Sequence, residues 1–207
     1  MIPADLNLYI KQGASYVLSV TLLQGDMIRT TADVLAGVSA LPVEPIRQAI
    51  ASGRKLLLGD DLVLTLAGAV DVGAVSLPIA PTPLPIAKKT KGWVCADLTG
   101  CTANAPIKGK LQTSTSPNQL AASFDTDRLS GRVDLVLTHP QTALLPANLA
   151  FGTVFSEEDL QARQRQATDY DWEMEITYPD NHIESPYKGL IVVYPQISDP
   201  LPEPVTP

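Results

Sequence analysis

Several stretches of the chain alternate apolar and polar residues so regularly that they read as strands with one buried face. Leu6, Leu8 and Ile10 alternate with Asn7, Tyr9 and Lys11. After Gly13 the pattern resumes, with Tyr16, Leu18, Val20 and Leu22 inward and Ser19 and Thr21 outward, the period of two that a half-buried strand requires. Gly25-Asp26 is a turn signal and predicts the end of that second strand. Further on, Cys101, Ala103, Ala105 and Ile107 share one face, and so do Val133, Leu135 and Leu137. Tyr170, Trp172, Met174 and Ile176 alternate with Asp171, Glu173, Glu175 and Thr177 in a one-sided strand. Leu190 to Tyr194 is apolar on both faces, which predicts a central strand. Pro106 offers no backbone N–H, so its strand is expected at an edge or with a bulge.

Between Asp26 and Lys91 the texture changes to Ala, Gly, Leu and Pro. Gly37-Val38-Ser39-Ala40-Leu41-Pro42-Val43-Glu44-Pro45 aligns without gaps on Gly73-Ala74-Val75-Ser76-Leu77-Pro78-Ile79-Ala80-Pro81, and the same offset of 36 residues carries Ile50 onto Ile86 and Ala51 onto Ala87. Two copies are too few for a solenoid, which needs about three units to bury a continuous core, and suit a compact module with pseudo-twofold character. In the first copy, Pro45 to Gly53 reads as a single helical turn: Pro near the start, Ile46 and Ile50 on one side, Gly53 as the stop. Lys55 to Leu58 and Leu62 to Leu66 then read as strands joined by Gly59-Asp60-Asp61.

A surface helix is predicted from Ser156, as N-cap with Glu157, Glu158 and Asp159 in the first turn, to about Gln166. Pro200 to Pro207 carries too many prolines for helix or central strand and is expected to be extended.

Composition narrows the function. Charged residues are 18% of the 207, below the roughly 25% of an average domain, and Pro is 18 of 207 against a usual roughly 5%, which suits short strands and shaped loops. A formal charge of −7 argues against a nucleic-acid partner, which calls for a basic face. The most apolar stretch, Leu62 to Ala87, holds Asp71 and Pro78, Pro81, Pro83 and Pro85, which a membrane-spanning helix does not accept. Met1 to Asp5 lacks a basic and apolar leader pattern, so folding in the cytoplasm is expected.

Candidate chemistry is sparse. Cys95 and Cys101 have only His139 and His182 to join them, without metal-ligand spacing. A disulfide between them is disfavoured in a reducing compartment, and both are expected in the core. Asp60-Asp61 and Asp125-Thr126-Asp127 fail calcium-loop spacing and read as solvated turn acids. Glu173 and Glu175 resemble paired carboxylates but have no matched cleft motif. No nucleophile elbow or phosphate-binding loop is present. The expectation is no catalytic, cofactor or metal residue and no enzymatic activity.

The order of motifs carries a resemblance. It runs from Lys11-Gln12-Gly13 to Asp97-Leu98-Thr99-Gly100-Cys101-Thr102-Ala103, then from Gly131 through Thr138-His139-Pro140-Gln141-Thr142-Ala143 to Pro146. Tyr170-Asp171-Trp172-Glu173-Met174-Glu175-Ile176-Thr177 and Gly189 to Pro195 follow. This order resembles a family of tailed-bacteriophage tail and baseplate proteins with an immunoglobulin-like β-sandwich, including the N-terminal domain of some upper baseplate proteins. The resemblance implies a tight turn at Asp97 to Gly100, a small core residue at Cys101, and a helical turn at Thr138 to Ala143 that makes His139 a surface connector. It also marks residues 25–91 and the stretch between Pro146 and Tyr170 as insertions. The expected protein is all-β: an immunoglobulin-like β-sandwich of residues 1–24 and 92–199, an inserted two-copy β module over 25–91, one short surface helix, and the proline-rich tail 200–207.

The implied role is a non-enzymatic virion structural protein, a tail or baseplate adaptor assembled in the host cytoplasm. Its expected partners are copies of itself and neighbouring tail, baseplate or fibre proteins, without nucleic acid or membrane. The alternatives are a carbohydrate-binding or host-surface adhesion module, for which Trp93 is the one loose aromatic candidate, or a head decoration protein.

Overall fold

A computed structural model of the chain describes residues 4–59, 61–109, 119–145 and 168–194. The structure is all-β. In chain order the strands are β1 (Ala4–Asp5), β2 (Leu8–Lys11), β3 (Tyr16–Thr21), β4 (Leu23–Arg29), β5 (Ala40–Pro42), β6 (Lys55–Leu58), β7 (Leu62–Thr65) and β8 (Ser76–Pro78). They continue with β9 (Lys91–Cys95), β10 (Thr102–Gly109), β11 (Gln119–Phe124), β12 (Arg132–Leu137), β13 (Thr168–Thr177) and β14 (Ile183–Tyr194), and the helix α1 (His139–Leu144) follows β12. Two compact units divide the chain. The first comprises Met1–Leu18, Cys101–Ser123 and Asp134–Pro207, the second Ser19–Gly100 and Phe124–Val133. The predicted Ser156 helix and the Pro200–Pro207 tail lie outside the described residues.

The first unit is organised around β14. Strand order in its sheet is β1-β14-β13-β10-β11-β12-β3, and β2 also pairs with β14. The alternating residues Tyr170, Trp172, Met174 and Ile176 are all buried, as are Ile191, Val192 and Val193 of the central strand. β1 and β2 run parallel to β14 in one continuous register, Ala4 opposite Tyr187 and Leu8 opposite Ile191. The strand is interrupted at Leu6 and Asn7, where the Leu190 N–H donates to the Asn7 side-chain Oδ1 at 3.1 Å. There the Leu6 carbonyl turns to accept the Trp172 indole N–H at 3.0 Å. Trp172 stands opposite Gly189 in the β13–β14 register. A Cβ at position 189 would lie 2.2 Å from the Leu6 carbonyl oxygen, so glycine is what allows the indole and the N-terminal strand to meet. At the other end of the unit, the buried Thr142 of α1 has its hydroxyl 2.8 Å from the Ala14 carbonyl, to which it donates. His139 is exposed at the start of that helix.

The second unit carries a twofold relation between residues 28–58 and 64–94. Its sheet order is β4-β9-β6-β7, and β5 pairs antiparallel with β8. With the 36-residue offset, β4 corresponds to β7 and β6 to β9. Leu41 meets its own counterpart Leu77 in the β5–β8 pair. The backbone bonds come in matching sets. Val34 N–H donates to the Ile86 carbonyl and Val70 N–H to the Ile50 carbonyl, each at 2.8 Å; Gly37 donates to Thr82 and Gly73 to Ile46. The core is likewise built of counterparts: Ile28 and Leu64, Val34 and Val70, Val43 and Ile79, Ile50 and Ile86, Leu58 and Val94. Gly53 and Lys89 occupy one position in the two copies, both at positive φ, 81° and 67°, and donate to Leu66 and Thr30 respectively.

Three local readings are corrected. Pro45 to Gly53 is not a helical turn. Ile46 and Ile50 are buried on one side, but their N–H groups donate to the Ala74 and Val70 carbonyls of the other copy at 2.9 Å, so the segment is an irregular, bent connection whose partners are long-range. Gly25-Asp26 does not end a strand. β4 runs through both, and the irregularity shows as a register shift against β9 between Gln24 and Ile28. Pro106 is not on an edge, because β10 lies between β11 and β13. Pairing with β13 covers Thr102–Asn104 and resumes at Ile107 without a register change, so the missing N–H falls where no ladder partner is needed.

Two substitutions test these features. Gly189→Ala is expected to destabilise the protein by about 1–3 kcal/mol, the usual cost of overpacking, measured by denaturant unfolding; an unchanged midpoint would contradict the close approach of Leu6. Lys89→Gly is expected to stabilise it by about 0.5–1 kcal/mol, because the left-handed conformation costs a side chain more than glycine loses in unfolded-state freedom.

Candidate functional site

The second unit carries a groove of about 830 Å³ beside β4 and the segment 44–51. Its floor is the buried Ile28, Ile46, Ile50 and Val94. Three arginines, Arg29, Arg47 and Arg54, line it together with Asp26 and Glu44. Arg29 and Glu44 stand 3.8 Å apart with both side chains well exposed, a weak surface pair. Arg54 is anchored: its Nη2 donates to the Cys95 carbonyl and, at 3.0 Å, to Gln24 Oε1. The Arg54 Nε is buried with no hydrogen-bond partner among the described residues. In the first unit a shallower hollow of about 530 Å³ surrounds Gly189, where Asp5, Asp171 and Glu173 face Lys108 and Lys188. Three acids and two bases are interleaved there.

The residues singled out in the sequence are dispersed. Cys95 and Cys101 are both buried free thiols, one in each unit. Burial pushes the Cys95 thiol up, opposed by the charge of Arg54, so it is held as the unreactive protonated form. Asp125 and Asp127 do turn work: Asp125 accepts the Asp127 N–H at 2.9 Å, and Asp127 accepts the Leu129 N–H while pairing with Lys55 Nζ at 3.1 Å. Asp61 is exposed, and Asp60 lies outside the described residues. Partial burial of the Asp97 carboxyl opposes ionisation, but bonds from Thr99 and the charge of Arg54 outweigh it and hold the group below its ordinary range. The Thr99 N–H donates to Asp97 Oδ1 at 2.9 Å, and this closes the turn before Cys101.

Glu173 and Glu175 stand opposite different neighbours, Lys188 and Asn104. Trp93 is half-buried and paired with Leu57 across β9 and β6. His182 and Tyr178 both reach Glu184: His182 Nε2 is 3.5 Å from Oε1, and the Tyr178 hydroxyl donates to Oε2 at 3.1 Å. Among the described residues no cluster of three or more His, Cys, Asp or Glu side chains suits a metal ion, and no helix is long and apolar enough to cross a membrane.

The groove arginines escaped the sequence reading because they are scattered between positions 29 and 54 in no motif spacing. The signal that finds them is the repeat itself: Arg29, Arg47 and Arg54 align with Thr65, Pro83 and Thr90. The chain matches no protein-family model and no curated protein.

The Tyr178 phenol is pushed up to about 12, first by burial and then by the charge and hydrogen bond of Glu184. A group whose pKa is raised in the folded state favours folding in its protonated form. Its contribution is therefore complete below pH 10.0, the ordinary value, and is lost as pH rises from there through about 12. The difference in phenolate absorbance between the native chain and Tyr178→Phe is expected to titrate near the upper end of that window, and Glu184→Gln to lower its midpoint. A midpoint unmoved by Glu184→Gln would show that the carboxylate has no part in the shift.

Proposed function

We propose that the chain is a non-enzymatic structural protein of a tailed-phage virion, an adaptor in the tail or baseplate whose sandwich is of the immunoglobulin-like type. The observation that carries this reading is the ordered set of motifs: Gln12-Gly13, Asp97 to Ala103, Gly131 to Pro146, Tyr170 to Thr177 and Gly189 to Pro195. Each maps to a definite structural job. Ala14 N–H donates to the Lys11 carbonyl in the turn after β2. Asp97 and Thr99 make the turn before β10. Thr138 N–H donates to Gln141 Oε1 at 2.9 Å at the start of α1, and β13 and β14 form the longest antiparallel pair. The motifs are thus the joints of a β framework, which fits a part that is shaped to be built upon.

A second support is surface chemistry. The first unit leaves Tyr9, Val17, Leu144 and Ile183 between 58% and 71% exposed, apolar area of the kind that a subunit contact covers. In an assembly role the chain partners copies of itself and neighbouring tail, baseplate or fibre proteins. Quantitative mass spectrometry of purified tails from the virus that encodes the chain is expected to find it at a fixed whole-number ratio to the other tail proteins. Its presence in the infected cell but not in particles, or in heads alone, would overturn the proposal.

A further inference from the structure

The twofold relation of the second unit acts as an internal control on its own surface. The groove beside β4 and the surface related to it by the repeat share the backbone bonds made by residues 44–50 and 80–86, and differ where β4 shifts register between Gln24 and Ile28 while β7 pairs regularly with β6. Yet Glu44, Arg47, Gln48 and Arg54 stand where the other copy has Ala80, Pro83, Leu84 and Thr90. The second copy carries the same bonds over residues 80–86 with Pro83 in the place of Arg47, so that path does not require arginine at 47.

What those side chains offer is a cationic wall over an apolar floor. Arg47 is exposed and makes no ion pair among the described residues. Arg54 lines the groove and is held in place through Nη2 by the Cys95 carbonyl and Gln24, which fixes its guanidinium in advance of a ligand. Ile46 and Ile50 form the floor, and Met27 and Val72 leave 42% and 64% of their surface exposed at the rim. The planar fork of arginine matches a carboxylate. Asp26 and Glu44 on the same wall repel a second negative charge, which selects a monoanion over a polyphosphate. The volume of about 830 Å³ falls within the roughly 300–1,000 Å³ of ligand sites.

We infer that this groove binds a single carboxylate carried on a short aliphatic body, with the carboxylate held by Arg47 and Arg54 and the aliphatic part laid on Ile46 and Ile50. A free aliphatic acid and a glutamyl side chain of a partner polypeptide present the same chemistry. The inference does not depend on the assembly role.

The test is a titration of the full ¹⁵N-labelled chain, followed by amide shifts, with hexanoate and with hexanamide, which has the same body without the charge. The expected result is saturable shifts at Gly25, Ala49, Ala51 and Gly73 with hexanoate, at least ten-fold weaker binding of hexanamide, and no response at Ala80 or Ala87 in the related surface. Arg47→Gln is expected to weaken hexanoate at least five-fold with the remaining spectrum unchanged; because Arg47 is exposed, this variant tests the site without disturbing the core. Equal binding of the acid and the amide, unsaturable shifts spread over the surface, or an Arg47→Gln chain that binds hexanoate as before would each overturn the inference. A third titration, with acetyl-Ala-Leu-Glu-Leu-Ala-amide, assigns the source: tighter binding than hexanoate points to a partner's glutamyl side chain, weaker binding to a free acid.

Discussion

The second unit rests on one constraint: backbone donors and acceptors of each repeat copy are completed by the other copy. Ile46, Ile50 and Gly73 cannot find their acceptors within their own half, and neither can Val34, Thr82 or Ile86. Buried peptide groups left without partners carry a cost comparable to a lost hydrogen bond, so half a module is not a smaller version of the whole. The core follows the same rule, since Leu41 and Leu77 are fully buried against each other's strands. Once the main chain and these counterpart side chains meet the constraint, the surface is released from it. That is why Glu44-Pro45-Ile46-Arg47-Gln48 and Ala80-Pro81-Thr82-Pro83-Leu84 trace one path with unrelated chemistry.

Departures from symmetry inside the core are few and individually repaired. Thr30 and Thr82 are buried where the other copy has Leu66 and Ile46. Each hydroxyl donates to a carbonyl of the neighbouring turn, Ala87 for Thr30 at 2.8 Å and Leu35 for Thr82 at 3.0 Å. A buried hydroxyl without such an acceptor would be costly, so the polar exchange is tolerated only where the turn supplies one. Gly92, the counterpart of Leu56, leaves room for Leu58, whose Cδ2 would lie 2.4 Å from an added Cβ.

Much of this was legible in the sequence, and the parts that were not share a cause. Alternation found the strands of Leu8–Ile10, Val133–Leu137 and Tyr170–Ile176 because period two is a local property. The 36-residue offset was visible where residues are identical or nearly so, as from Gly37 to Pro45. It was hidden at Ile28 and Leu64 or Leu58 and Val94, where only apolar character is kept. Ile46 and Ile50 misled because a spacing of four suits a helical turn as well as it suits two buried positions of a bent segment whose partners lie in the other copy. The wall of arginines was invisible for the related reason that it is assembled by folding, from β4, the 44–51 segment and the approach to β6. The turn role of Asp125 and Asp127 was legible because the N–H groups they accept lie two residues on, whereas the ion pair of Asp127 with Lys55 was not, since it joins residues distant in the chain.

The indole of Trp172, buried and bonded to the Leu6 carbonyl in the first unit, has a practical counterpart in Trp93 of the second. These are the two tryptophans of the chain, one to each unit. Each unit therefore carries its own intrinsic fluorophore. In chains keeping a single tryptophan, the emission of Trp172 follows the docking of the N-terminal strand and that of Trp93 follows the twofold module. Coincident or separate transitions then reveal whether the two units melt as one cooperative body or in succession.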